Sequence, residues 1–181
     1  MAIGATMRRF EIALADADRG VYGDLDLRVA QHPSESERYL VARVLARALE
    51  HAEGVEFGRG VSTDDEPAIW QRDLRGDLLA WIEVGAPSVE RLHRASKASP
   101  RVAVYGWKAC EALAAEVAAG RVHRAEALEI HAFSPTLIDD LVGGLSRNHR
   151  WSLSVSGGAL YVDVGEGVVH EGSVRRIPIA L

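Results

Sequence analysis

The chain has 181 residues, 48% of them hydrophobic and 26% charged, and a net charge of −5. That length suits one domain with a real core, and that balance excludes a disordered chain or a fibre. No apolar run reaches the roughly 20 residues of a membrane helix, which excludes an integral helical membrane protein, and the negative charge argues against a broad grip on duplex phosphates.

Ala5–Leu14 mixes apolar and basic residues in rough alternation, with no helix cap before it, and is predicted as a strand. Turn residues at Asp16–Gly20 lead to Tyr22–Val29, where Leu25, Leu27 and Val29 share one face; together these predict an N-terminal hairpin. Ser34 and Glu37 have capping-box spacing and open a helix whose apolar face is Leu40, Val41, Val44, Leu45, Ala48 and Leu49. Gly54 ends it. Val55–Arg59 reads as a short strand, and Ser62–Arg75 as a polar connection with a helical turn near Pro67. Leu78–Val84 is almost wholly apolar and predicts a strand buried on both faces. A helix from Pro87-Ser88 to Ser99, a strand at Arg101–Tyr105 and a helix at Lys108–Ala119 follow. Next come a strand at Ala127–Phe133, a helix at Pro135–Leu145 and a hairpin of Trp151–Val155 with Leu160–Val164. Val168–Ile179 is expected to close the sheet as an edge strand, where Pro178 would be tolerated. The fold class is α/β: one domain with a mixed sheet and helices on both sides. Strand–helix–strand order predicts that Val102–Tyr105 runs parallel to Leu78–Val84.

Cys110 is the only cysteine, so neither a disulfide framework nor a thiolate zinc site is available. Met1–Arg9 places its basic residues after a short apolar stretch, the reverse of a signal peptide. These features predict a cytoplasmic protein, and a single domain of this size is expected to be a monomer.

Two acidic features carry the chemistry. Asp64, Asp65 and Glu66 stand together in a polar loop, and Glu83 interrupts the apolar strand Trp81-Ile82-Glu83-Val84-Gly85. A lone carboxylate in such a strand is costly unless a cation or hydrogen-bond donors accompany it. Loop acids arriving beside a strand acid are what a hard divalent cation requires. The alternatives are structural: Asp64 or Asp65 capping the turn at Pro67, and Glu83 pairing with Arg43, Arg91 or Arg94. Glu37 has a capping task, whereas Glu35 is left unexplained by it. Arg91, His93, Arg94 and Lys97 make the following helix basic, suited to a phosphate contact or to solvated ion pairs. Paired metal-binding histidines, a Walker loop, a dinucleotide fingerprint and a nucleophile elbow are all missing.

The pieces Ala15-Asp16 with Asp18-Arg19, His32-Pro33-Ser34-Glu35 with Arg43, Arg59-Gly60, Asp64-Asp65-Glu66-Pro67 and Trp81-Ile82-Glu83-Val84-Gly85 with Pro87 resemble the YaeQ family in order and spacing over nearly the whole chain. That family looks like a variation on the PD-(D/E)XK nuclease fold. The resemblance implies a restriction-endonuclease-like core flanked by an N-terminal hairpin and C-terminal β strands. It implies Glu83 as the strand acid, Asp65 or Asp64 as the aspartate, and Glu35 as the helix carboxylate. Gly85 stands where an active nuclease of that group carries lysine, so the basic role would pass to Arg94, His93 or Lys97. The function implied is a Mg²⁺-dependent phosphodiesterase acting on nucleic acid through a local site, with Mn²⁺ as a substitute ion. The alternative is a catalytically degenerate relative that binds nucleic acid or a protein partner. For the enzyme, Glu35, Asp65 and Glu83 are expected to converge on one cleft, and Glu83→Gln to abolish cleavage with little loss of stability.

Overall fold

The computed structural model describes residues 4–59 and 65–181. Period-2 patterning at the N-terminus forms the long hairpin β1 (Thr6–Asp16) and β2 (Val21–Gln31), whose inward residues Phe10, Ile12, Leu25, Leu27 and Val29 are buried. Then follow α1 (Glu37–Leu49), β3 (Val55–Phe57), β4 (Ile69–Arg72), β5 (Leu78–Val84), α2 (Val89–Ala98), β6 (Val102–Gly106) and α3 (Cys110–Ala119). The chain continues through β7 (Glu129–Phe133), α4 (Pro135–Gly143), β8 (Asn148–Ser156), β9 (Ala159–Asp163) and β10 (Val169–Ile177).

All ten strands join one mixed sheet in the order β2-β1-β8-β9-β10-β7-β6-β5-β4-β3. Its parallel joints are β1 with β8, β5 with β6 and β6 with β7; the rest are antiparallel. The expected parallel pairing is present, with Trp81 opposite Val102 and Val84 opposite Tyr105.

The sheet curls into a nearly closed, barrel-like wall around α1, which touches β1 on one side and β3, β5 and β6 on the other. Such a helix cannot be amphipathic, and Leu40 to Ala46 is buried without a break. Helix α4 packs beside α1 in the same core, through Leu137, Ile138 and Leu141. Helices α2 and α3 cover the opposite face through Leu92, Ala95, Leu113 and Val117.

Three expectations are corrected. Residues after Pro67 form β4, not a helical turn: Ile69 and Trp70 are strand formers, and β4 fills the gap between β3 and β5. Strand β10 lies inside the sheet between β9 and β7, and Pro178 falls just beyond the ladder. Helix α1 is capped by Ser36, whose Oγ accepts the Tyr39 N–H at 3.1 Å, while Ser34 turns back to His32 Nδ1 at 2.7 Å.

Two polar fasteners hold α1 in place. Asp16, 1% exposed, accepts the Arg19 N–H at 3.1 Å, and the Arg19 guanidinium donates to the last carbonyls of the helix region, Leu49 O and His51 O. Asp18 accepts from Gly157 N and Gly158 N, so the turns of both hairpins are tied together. Below α1, Arg101 forks onto Glu50 at 2.7 and 2.9 Å and onto Glu129 at 2.9 and 3.0 Å. The Tyr105 hydroxyl also donates to Glu50 at 2.7 Å, and His131 Nε2 lies 3.1 Å from Glu129. Burial pushes the Glu50 carboxyl up, but the Arg101 fork and Tyr105 outweigh it and hold it below the usual range. The His131 contact, together with Arg101, holds Glu129 down at about 2.

Candidate functional site

The parallel strands β5, β6 and β7 all end at one rim of the sheet, the place where α/β sheets carry their ligand sites. Glu83 sits next to last in β5. Strand alternation sends Ile82 and Val84 toward α1 and Trp81 and Glu83 toward α2. Glu83 is 4% exposed, and one of its oxygens, Oε1, accepts both Arg91 Nε at 2.7 Å and Trp81 Nε1 at 2.6 Å. Arg91 comes from the first turn of α2, whose start is fixed by Ser88 Oγ accepting the Arg91 N–H. Its Nη2 continues to the Glu66 carbonyl at 2.7 Å.

A second acid–arginine pair lies on the α1 side. Glu35 Oε1 is 3.5 Å from Arg43 Nη1, with both side chains at most 2% exposed. Glu35 Oε2 accepts the His32 N–H at 3.3 Å, which gives this acid the structural task that the capping pattern did not supply. Arg43 donates to Gly58 O at 2.5 Å and Ala68 O at 3.3 Å and lies over the Phe57 ring at 5.0 Å. Among the described residues neither Glu35 Oε1 nor Arg43 Nη1 has a hydrogen bond. Burial raises the Glu35 carboxyl, and Arg43 only partly offsets it.

The two pairs act on one loop. Arg43 holds carbonyls at Gly58 and Ala68, and Arg91 holds the carbonyl of Glu66. The stems of the acidic loop are thus clamped by two arginines from opposite faces of the sheet, each balanced by its own carboxylate. Glu66 adds an ion pair with Arg59 at 3.5 Å. Between the pairs stands Tyr39, close enough to feel Glu35, Glu83, Arg43 and Arg91; burial above all lifts its phenol to about 12, so it remains a neutral hydroxyl.

Glu35 and Glu83 therefore approach the same rim from opposite faces of the sheet. Asp65 is exposed, next to the residue that Arg91 holds, and Asp64 lies outside the described residues. Arg94 is exposed one turn beyond Arg91, and His93 Nδ1 accepts the His123 N–H, so the basic partner of Glu83 is Arg91. Gly85 has φ +88°, a backbone region hostile to lysine. Among the described residues no three carboxylate, imidazole or thiol groups gather as a cation site. Glu83 is already engaged by Arg91. Tyr39 is the member that sequence reasoning passed over. Arg43 was offered as a partner for Glu83 and pairs instead with Glu35; it is the one charge inside an apolar stretch of α1, as Glu83 is in β5.

The fold and site define an α/β protein whose strand-end rim is organised by two buried acid–arginine pairs around an acidic loop. The chain belongs to the YaeQ family, whose model, described as YaeQ protein, matches residues 1–171. The crystal structure of YaeQ protein from Pseudomonas syringae superposes with a TM-score of 0.87 at 31% identity, over 96% of each chain. That from Xanthomonas axonopodis pv. citri gives 0.84 at 34% identity, over 96% of this chain and 99% of that one. The uncharacterized protein YaeQ of Escherichia coli (strain K12) is 35% identical over 107 residues, a stretch that spans 59% of each protein. No helix among the described residues is long and apolar enough to cross a membrane.

Proposed function

We propose that this protein is a catalytically degenerate relative of the PD-(D/E)XK nucleases, which holds a nucleic-acid strand at the rim of β5 and β6 without cleaving it. One observation carries the reading: the strand acid Glu83 is committed to Arg91 and Trp81 rather than left open to a cation. Arg91 passes that charge on to the acidic loop, so the pair positions a loop rather than activating water. The left-handed Gly85, in place of the lysine, agrees with it.

A metal-dependent phosphodiesterase at the same rim is the second reading. It is favoured by Glu35 and Glu83 both lying within electrostatic reach of Tyr39, with Asp65 next to the Glu66 that Arg91 holds. Calorimetric titration with Mg²⁺ and Mn²⁺, together with anisotropy and cleavage assays on labelled single- and double-stranded oligonucleotides, separates the two. Binding without cleavage supports the degenerate module. Metal-dependent cleavage lost in Glu83→Gln establishes the enzyme instead, and a protein that neither binds nor cuts overturns both.

A further inference from the structure

On the same rim, one strand over from Glu83, the ends of β6 and β7 open into a cavity of about 470 Å³. That is within the size range of small-ligand sites. Its walls are Trp107, Phe133 and Cys110, and its polar groups include Lys108, Ser134 and Arg175. No residue of the acid–arginine pairs lines this cavity.

The local chain path builds it. Gly106 ends β6 so close to its neighbours that a Cβ there would lie 2.7 Å from Cys110 Sγ and 3.0 Å from Gly85 O. The chain then turns through Trp107 and Lys108 to Ala109, which adopts φ 52° before α3 begins. The far ring edge of Trp107 packs over Gly85, about where a side chain would start. Trp107 therefore belongs both to the wall of this cavity and to the rim beside Glu83. Of the charges, Arg175 pairs with Glu111. Lys108 is exposed and has no ion-pair partner among the described residues.

We propose that this cavity binds a nucleoside phosphate. The half-buried Trp107 indole supplies the flat apolar surface that a base stacks against, and such contacts tolerate any base. Lys108 supplies a point charge for the phosphate, with the Ser134 hydroxyl on the same lining, while Arg175 neutralises the Glu111 carboxylate that also lines the cavity. Cys110, 3% exposed, is part of the wall, and burial pushes its thiol up. The phosphate belongs either to a free nucleotide or to one unit of a strand lying along the rim. The strand form extends the function proposed above and rests on it; the free-nucleotide form does not.

The test uses the intact chain and two ligands, adenosine 5′-monophosphate and a ten-residue deoxythymidine strand, with indole fluorescence and calorimetry as readouts. Lys108→Gln, at an exposed position, leaves the fold intact and is expected to weaken binding about tenfold, the effect of losing one charge-assisted contact. Trp107→Phe should remove most of the fluorescence response while retaining binding. Both ligands bound, and both weakened by Lys108→Gln, place a strand nucleotide in the cavity. The mononucleotide alone bound, and weakened, makes it a free-nucleotide site and refutes the strand reading of the rim. A strand that binds wild type and Lys108→Gln equally leaves the rim function standing and overturns the cavity assignment. Failure to bind either ligand overturns it as well.

Discussion

Removing Arg101 puts a number on the fastening beneath α1. Arg101→Met keeps the aliphatic stem and deletes the cation that, among the described residues, both Glu50 and Glu129 share. A carboxyl held at about 2 rather than about 4.5 carries about 3 kcal/mol of stability at neutral pH by linkage. His131 supplies part of that, and Arg101 is 35% exposed, so solvent screens the rest. The expected loss at pH 7 is therefore about 2 kcal/mol, a fall of about 1 M in the urea midpoint for a domain of this size. The sign with pH follows from the depressed carboxyls. For Glu129 the stabilisation is complete above the unfolded value near 4.5 and is lost as pH falls toward the folded value of about 2; that of Glu50, also held low, is lost in the same direction. Urea melts of wild type and variant should therefore differ by about 2 kcal/mol at pH 7 and by less than half of that at pH 3. A gap that does not change with pH, or a variant that melts with wild type at pH 7, refutes the account of this network.

The engaged carboxylate changes the stability half of the expectation for Glu83→Gln: the amide keeps an acceptor but strips Arg91 of its counter-charge, and calorimetric melting should show a loss of about 1–2 kcal/mol. A variant that melts higher than wild type means that the pair is not needed. Arg43→Met should cost about 3 kcal/mol or more, because it abandons two carbonyls and a buried acid. Glu35→Gln should cost less than that, about 1–2 kcal/mol, since burial already works against the Glu35 charge while Arg43 loses its counter-charge; the reverse order in chemical denaturation contradicts the assigned roles. Gly85→Lys forces a side chain into φ +88°, should cost about 1–2 kcal/mol, and should leave oligonucleotides uncut. Cleavage by that variant would show that only the lysine was missing.

Most elements were legible because their patterns were strong. The strand Leu78–Val84 stands where its apolar run placed it, and Leu25, Leu27 and Val29 point inward as their alternation required. The misses share a cause, since each depended on partners far away in the chain. Pro178 suggested an edge only because the pairing of β10 with both β9 and β7 cannot be read locally. The two-residue shift of the α1 cap came from His32 competing for Ser34. At the site, the sequence marked Glu83 as an anomaly and offered three arginines for it. It could not choose, because the choice depends on the rotation of α2, which presents Arg91 to the acid and Arg94 to solvent. The Asp16 and Arg19 motif carried the resemblance to the family, and here it does structural work at the end of α1.

The parallel joint between β1 and β8 has a consequence for biogenesis. Arg8 donates to a carbonyl 138 positions further on, at Ser146, and Arg9 pairs in register with Asn148. The hairpin of β1 and β2 therefore waits for β8 to be made before its inner edge is satisfied. At ordinary synthesis speeds that wait is on the order of ten seconds, far longer than a hairpin takes to form. During it a two-stranded unit, marginal on its own, shows an unpaired row of backbone groups and a half-covered apolar face. Nascent chains stalled before residue 148 should be protease-sensitive throughout their N-terminal hairpin and should depend on chaperones, whereas chains released beyond β10 should become resistant as one cooperative unit.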